Sequence, residues 1–226
     1  MFLRVALLVL KKDLAIEAKS KEIVYTTLFF AVACVLIFSF AFVMEEGVPV
    51  EGAAVGILWI AVALSGTLAL GRTFERERYG ETLRALLLAP ASRAAIYAGK
   101  LLGMVLLMLA TEVVLTPMVA FLFHAPFFAR PWLLVTLLVL GTVGFASVGT
   151  LFAAMLVRTR TRDVLLPILL YPVTIPVIIA GVRGTAALVQ APPDEAVAML
   201  WIGLLTSFDV VFLTLALWTF EPLMTE

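Results

Sequence analysis

The sequence predicts an all-α, polytopic integral membrane protein, and three observations carry that expectation. Of 226 residues, 63% are hydrophobic and only 14% charged, and the mean hydropathy is +1.13, well outside the composition of soluble globular domains. Six uninterrupted apolar runs reach or approach the roughly 20 residues that a helix rising about 1.5 Å per residue needs to cross a hydrocarbon core about 30 Å thick. The basic residues between these runs alternate between rich and poor loops, as they do around membrane spans. Helices are expected over barrel strands, because lipid offers backbone polar groups no partner and the runs lack the alternation of strands.

The elements follow in order. Leu3, Leu7, Leu10, Leu14 and Ala18 recur at three- and four-residue steps, with Lys11, Lys12, Asp13, Glu17, Lys19 and Lys21 elsewhere around the helix. That pattern predicts an N-terminal amphipathic helix lying in the interface plane. Its apolar run is short, two lysines follow it and no small-residue cleavage site appears, so it is expected to be retained rather than removed as a signal peptide. The expected spans are Ile23 to Met44, Gly52 to Gly71, Leu101 to Phe123, Trp132 to Val157, Val164 to Val182 and Val197 to Phe220. No stretch between them is long enough to fold independently, so residues 1–226 are expected to form a single transmembrane domain. Lone Cys34 lies in the first span and is read as packing filler.

Loop charge sets the expected topology. Arg4, Lys11, Lys12, Lys19 and Lys21 precede the first span. Arg72, Arg76, Arg78, Arg84, Arg93 and Lys100 lie around the second loop, and Arg158, Arg160 and Arg162 in the fourth. Of sixteen basic residues, only Arg130 and Arg183 fall in the opposite loops, which collect Glu45, Glu46, Glu51, Asp194 and Glu195. Both termini are therefore expected in the cytoplasm.

Catalysis is not expected. The chain has no phosphate-binding Gly-x-x-x-x-Gly-Lys-Ser/Thr sequence, its one Gly-Lys pair being Gly99-Lys100, so it has no nucleotide site of that kind. One His and one Cys make no metal cluster. His124, at the end of the third span, reads as an amphipathic residue at headgroup level or as an axial ligand, the former being commoner. Glu112 and Asp209 are the ionisable residues placed inside spans; each is expected to face the bundle interior, either as a hydrogen-bonded structural group or in a substrate or proton path. An intramembrane hydrolase built on them lacks a metal cluster and a base paired with a nucleophile. Pro167, Pro172 and Pro176 are candidates for kinks in the fifth span, as hinges or as ordinary membrane prolines. The small residues Gly141, Gly144, Ala146, Ser147, Gly149, Ala153 and Ala154 predict close helix packing by the fourth span.

The second loop is the most distinctive segment. RTFERERYGETLRALLLAPASRAAIYAGK reads as a charged helix-turn-helix whose short amphipathic helix ends at Pro90. Glu81, Leu83, Arg84, Leu86, Leu87, Pro90 and Arg93 are candidates for docking a cytoplasmic partner, the other reading being a connector resting in the lipid interface. Phe74-Glu75-Arg76-Glu77-Arg78, Gly80-Glu81-Thr82-Leu83, Leu86-Leu87-Leu88-Ala89-Pro90, Ser92-Arg93 and Gly99-Lys100 resemble the coupling-helix loop of ABC-2-type exporter permeases. With Lys11-Lys12-Asp13-Leu14, Trp59, Leu68-Ala69-Leu70, Pro172 and Ile175-Pro176-Val177-Ile178, the whole chain resembles the heme exporter protein B family of cytochrome c maturation permeases.

That resemblance implies a membrane subunit paired with a separate cytoplasmic ABC ATPase, other cytochrome c maturation membrane subunits and a heme chaperone. Membrane lipid and a second copy of the chain are further expected partners; nucleic acid is not. No cofactor is assigned to the chain, and heme is expected as substrate of the complex, whether the complex moves it or uses ATP to release a heme-loaded chaperone. The competing expectations are a generic ABC-2-type exporter of a drug, lipid or glycan, and a non-transporting membrane scaffold.

Overall fold

The described residues form seven α-helices and one turn of 3-10 helix, with no strand among them. The structure is a computed structural model and describes residues 2–42, 52–73, 92–157, 159 and 161–223. The helices are α1 (Phe2–Ser20), α2 (Glu22–Ala41), α3 (Ala53–Thr73), α4 (Arg93–Phe123), α5 (Pro131–Met155), α6 (Arg162–Val189) and α7 (Glu195–Leu223), with the 3-10 turn at Phe127–Ala129. Six of them, α2 to α7, are long and apolar enough to cross a membrane, which is the expected architecture.

Local sequence explains where these helices begin and end. Lys21 takes the left-handed conformation (φ 53°) between α1 and α2, which stops α1 and redirects the chain. Glu17 of α1 then accepts a 2.9 Å hydrogen bond from the Val24 N–H, supplying one of the acceptors that the first turn of α2 lacks. His124 is exposed and adopts φ 51° as it closes α4, its N–H donating to the Ala120 carbonyl. Pro131 opens α5, where its missing N–H costs nothing. Asp194 caps α7 by accepting from the Val197 N–H at 3.0 Å.

Two helices run further than their apolar cores. α4 begins at Arg93 rather than Leu101, absorbing Tyr97, Gly99 and Lys100, and its 31 residues extend about 46 Å against a core of about 30 Å. α6 continues to Val189 rather than Val182, so Arg183 is helical rather than part of a loop. In both extensions polar residues sit on helices held by tertiary packing, which hydropathy alone does not register.

α5 is the central helix, packed against α3, α4, α6 and α7, while α1 lies along α4 and α2 lies on α3 and α4. Lipid tails are as apolar as leucine, so helix association in a membrane depends on close fit and interhelical hydrogen bonds rather than on apolar burial. The small residues of α5 provide that fit. The Trp59 indole of α3 sits against Gly141 of α5 and Gly181 of α6, where an added Cβ at Gly181 would lie 2.5 Å from the ring. Its Nε1–H donates to Thr185 Oγ1 at 3.1 Å. Leu70 fills the space at Gly149, and the buried Tyr97 hydroxyl donates to the Ser147 carbonyl at 2.8 Å. Cys34 is buried in the same core.

The stripe on α1 divides in two. Ala6 and Val9 are buried against α4 and Leu10 meets Gly103, whereas Leu3, Leu7 and Leu14 stay uncovered by protein. An interfacial helix held by a neighbour on one side and open to lipid on another has this division.

Candidate functional site

Polar chemistry concentrates at the end of the bundle where α1, the end of α3, the start of α4 and the start of α6 meet. Of the candidate docking residues, Arg93 is the first residue of α4 and is half-buried; Glu81, Leu83, Arg84, Leu86, Leu87 and Pro90 lie outside the described residues. The two flanks of that stretch are described. At the end of α3, Arg162 Nη2 donates to the carbonyls of Leu70 at 2.9 Å and Gly71 at 2.5 Å, and Arg72 Nη1 bonds Glu22 Oε1 at 3.3 Å. At the start of α4, Lys100 Nζ lies 2.9 Å from Asp13 Oδ2, and the other oxygen of Asp13 pairs with Lys12 at 3.0 Å. Lys100 is only 3% exposed.

These contacts place the basic-rich segments together at one end of the bundle. At the other end Arg130 pairs with Glu195, joining the turn before α5 to the start of α7. The grouping of ends is the one the loop charges imply.

Glu112 and Asp209 are both buried, at 2% and 5% exposure, but the fold keeps them apart. The Thr142 hydroxyl of α5 donates to Glu112 Oε1. Glu112 Oε2 and the Thr116 hydroxyl one turn along are buried without hydrogen-bond partners. Asp209 faces Gly144, where an added Cβ would come 2.6 Å from Oδ1, with Val177 and Phe208 beside it; neither carboxylate oxygen has a partner. Positions 142 and 144 are two residues apart on α5, and at about 100° per residue they point to nearly opposite sides of that helix. The two acids therefore reach α5 from different sides and form no dyad. No group of three or more His, Cys, Asp or Glu side chains is placed to hold a metal ion among the described residues.

Pro167, Pro172 and Pro176 all lie inside the continuous helix α6, Pro172 and Pro176 on its exposed side. Pro117 lies inside α4. The docking candidates read from the sequence omit Asp13, Lys100 and Arg162, although Asp13 and Lys100 fall within the motifs that carry the family resemblance. The available signals were an acid within a lysine-rich amphipathic helix, and a Gly-Lys pair at the edge of an apolar run.

Burial gives a direct expectation for Glu112. Glu112→Gln retains shape and an acceptor for Thr142, so the protein should reach the membrane at wild-type abundance. Glu112→Lys places an ammonium in the span at a cost of about 3 kcal/mol, and its abundance on membrane-fraction immunoblots should fall clearly below that of the Gln variant. Equal abundance of the two would contradict the interior placement.

A family model described as CcmB protein matches residues 4–222. The chain belongs to the CcmB protein family. It is 32% identical over 182 residues to Heme exporter protein B of Paracoccus denitrificans (strain Pd 1222), covering 79% of this chain and 80% of that protein. Heme exporter protein B of Pseudomonas aeruginosa is 27% identical over 212 residues, covering 94% and 93%, and that of Rhodobacter capsulatus is 35% identical over 128 residues, covering 57% and 58%. The CcmB match and the six apolar helices make this a multi-pass membrane protein of that family.

Proposed function

We propose that this CcmB protein is the membrane subunit of a heme-export complex of cytochrome c maturation, driven by a separate cytoplasmic ATPase. The carrying observation is the family match over residues 4–222, together with relatives named Heme exporter protein B that align along nearly the whole chain. The sequence holds no phosphate-binding loop of its own, which supports placing ATP hydrolysis on another chain.

In this reading the partner docks on the Glu81–Arg93 stretch, with Leu83, Leu86 and Leu87 as apolar anchors and Arg84 and Arg93 as orienting charges. Glu112 acts as a buried polar contact that fixes α4 against Thr142 of α5, Asp209 packs at Gly144 of the same helix, and the prolines of α6 allow that helix to bend during the cycle. Other cytochrome c maturation membrane subunits and a heme chaperone complete the complex.

Deletion of the gene tests the reading. Periplasmic c-type cytochromes should lose covalently attached heme, and the wild-type gene should restore it. Unchanged holo-cytochrome c, with altered secretion of a drug, lipid or glycan, would replace this reading by that of a generic exporter.

The loop charges support a topology with both termini in the cytoplasm and the protein in the inner membrane. A reporter active only in the periplasm should be silent when fused at Glu226 and active when inserted at Pro192. The reverse pattern would invert the topology and move the proposed docking stretch to the wrong side for an ATPase.

A further inference from the structure

Residues 74–92 join α3 to α4, and next to each end of that stretch a buried basic side chain links the pair to a helix outside it. Next to the α3 end it is Arg162, 4% exposed, donating to the Leu70 and Gly71 carbonyls at 2.9 and 2.5 Å. Both carbonyls belong to the last turn of α3, where helical carbonyls have no donor of their own and the helix end is negative. Because Arg162 is the first residue of α6, this contact ties the end of α3 to the start of α6.

Next to the α4 end the side chain is Lys100, whose ammonium pairs with Asp13 of α1 at 2.9 Å. The preceding residue, Gly99, lets the two backbones close up: a Cβ there would lie 2.6 Å from the Ala6 carbonyl oxygen and 2.7 Å from Val9 Cβ. α1 and the start of α4 are thus joined by both shape and charge.

With Lys100 buried and Asp13 partly exposed, the pair is a poor source of net stability, since desolvation of the ammonium offsets the attraction. What it supplies is direction and register. We propose that Lys100 and Arg162 are positioning residues for energy coupling: a partner working on the 74–92 stretch moves α1 through Lys100–Asp13 and α6 through Arg162, rather than the α3–α4 pair alone. The proposal rests on the docking reading above and deepens it by naming the helices to which motion passes.

The test uses the full complex, purified from cells in which holo-cytochrome c is also measured. D13N, K100M and R162Q are expected to keep the ATPase bound and hydrolysing ATP, while holo-cytochrome c formed in the cells falls about tenfold, the size of a typical coupling free energy. The swapped variant D13K/K100D should recover to within about threefold of wild type. Full holo-cytochrome c with any single variant at wild-type membrane abundance overturns the role of the residue replaced. A loss that follows membrane abundance, with no recovery in the swap, overturns the proposal in favour of a purely structural contact. Absence of any ATPase from the wild-type preparation counts instead against the docking reading itself.

Discussion

Replacing Leu83 and Leu87 together by Asp is expected to abolish recovery of the ATPase with the purified protein while the six apolar helices still insert. The two leucines are four residues apart, so on a helix they share one side, with Leu86 beside them. A leucine fully buried at an interface contributes about 1.5–3 kcal/mol at roughly 25 cal/mol per Å². Two such losses, added to the burial of two carboxylates without partners, amount to several kcal/mol, and each 1.4 kcal/mol is about tenfold in affinity. Neither position lies within the six apolar helices, so insertion should persist. Unchanged ATPase recovery with a stably inserted double variant would mean that the stripe rests in lipid and the partner docks elsewhere.

The second large effect is expected at Trp59. Its ring fills the junction of α3, α5 and α6 against Gly141 and Gly181, and the residue is 3% exposed. Trp59→Ala should cost about 3–5 kcal/mol, because the surrounding helices close only partly around the space left. By the scaling for chains of this size the detergent-solubilised protein should lose on the order of 10 °C in its unfolding midpoint. Trp59→Phe keeps most of the volume and gives up the bond to Thr185, whose net worth is nearer about 1 kcal/mol. A thermal unfolding series that ranks wild type above Phe and Phe above Ala is the expected result. An unchanged midpoint for Ala would show that this junction does not hold the bundle together.

How much of this could be read from the sequence depends on whether the physics is local. The six spans were legible, because the cost of exposing backbone polar groups to lipid forces long apolar helices with few charges. The packing role of α5 was legible in Gly141, Gly144 and Gly149, small residues needing no knowledge of their neighbours to be recognised as points of close approach. The extension of α4 back to Arg93 was legible only as the second half of a helix-turn-helix after Pro90, not as one helix continuous with the third span, since its polar residues join that span only once α1 lies alongside and Asp13 meets Lys100. Nor was the separation of Glu112 from Asp209, which depends on their meeting α5 at positions 142 and 144. The amphipathic stripe of α1 was visible, but its division into Ala6 and Val9 against α4 and Leu3, Leu7 and Leu14 in the open requires the partner helix. The candidate docking stretch shows the converse: its pattern is plain in the sequence, while Glu81 to Pro90 lie outside the described residues.

The heme-export account turns on what accompanies this chain in the membrane. The most direct measurement is affinity purification of the intact complex through a tag on this chain, followed by identification of its subunits and of any bound porphyrin. The account predicts a cytoplasmic ABC ATPase and cytochrome c maturation membrane subunits, with heme in the preparation when it is present in the cells. Recovery of the chain with no ATPase, or with an ATPase and subunits of a drug, lipid or glycan exporter, would contradict it.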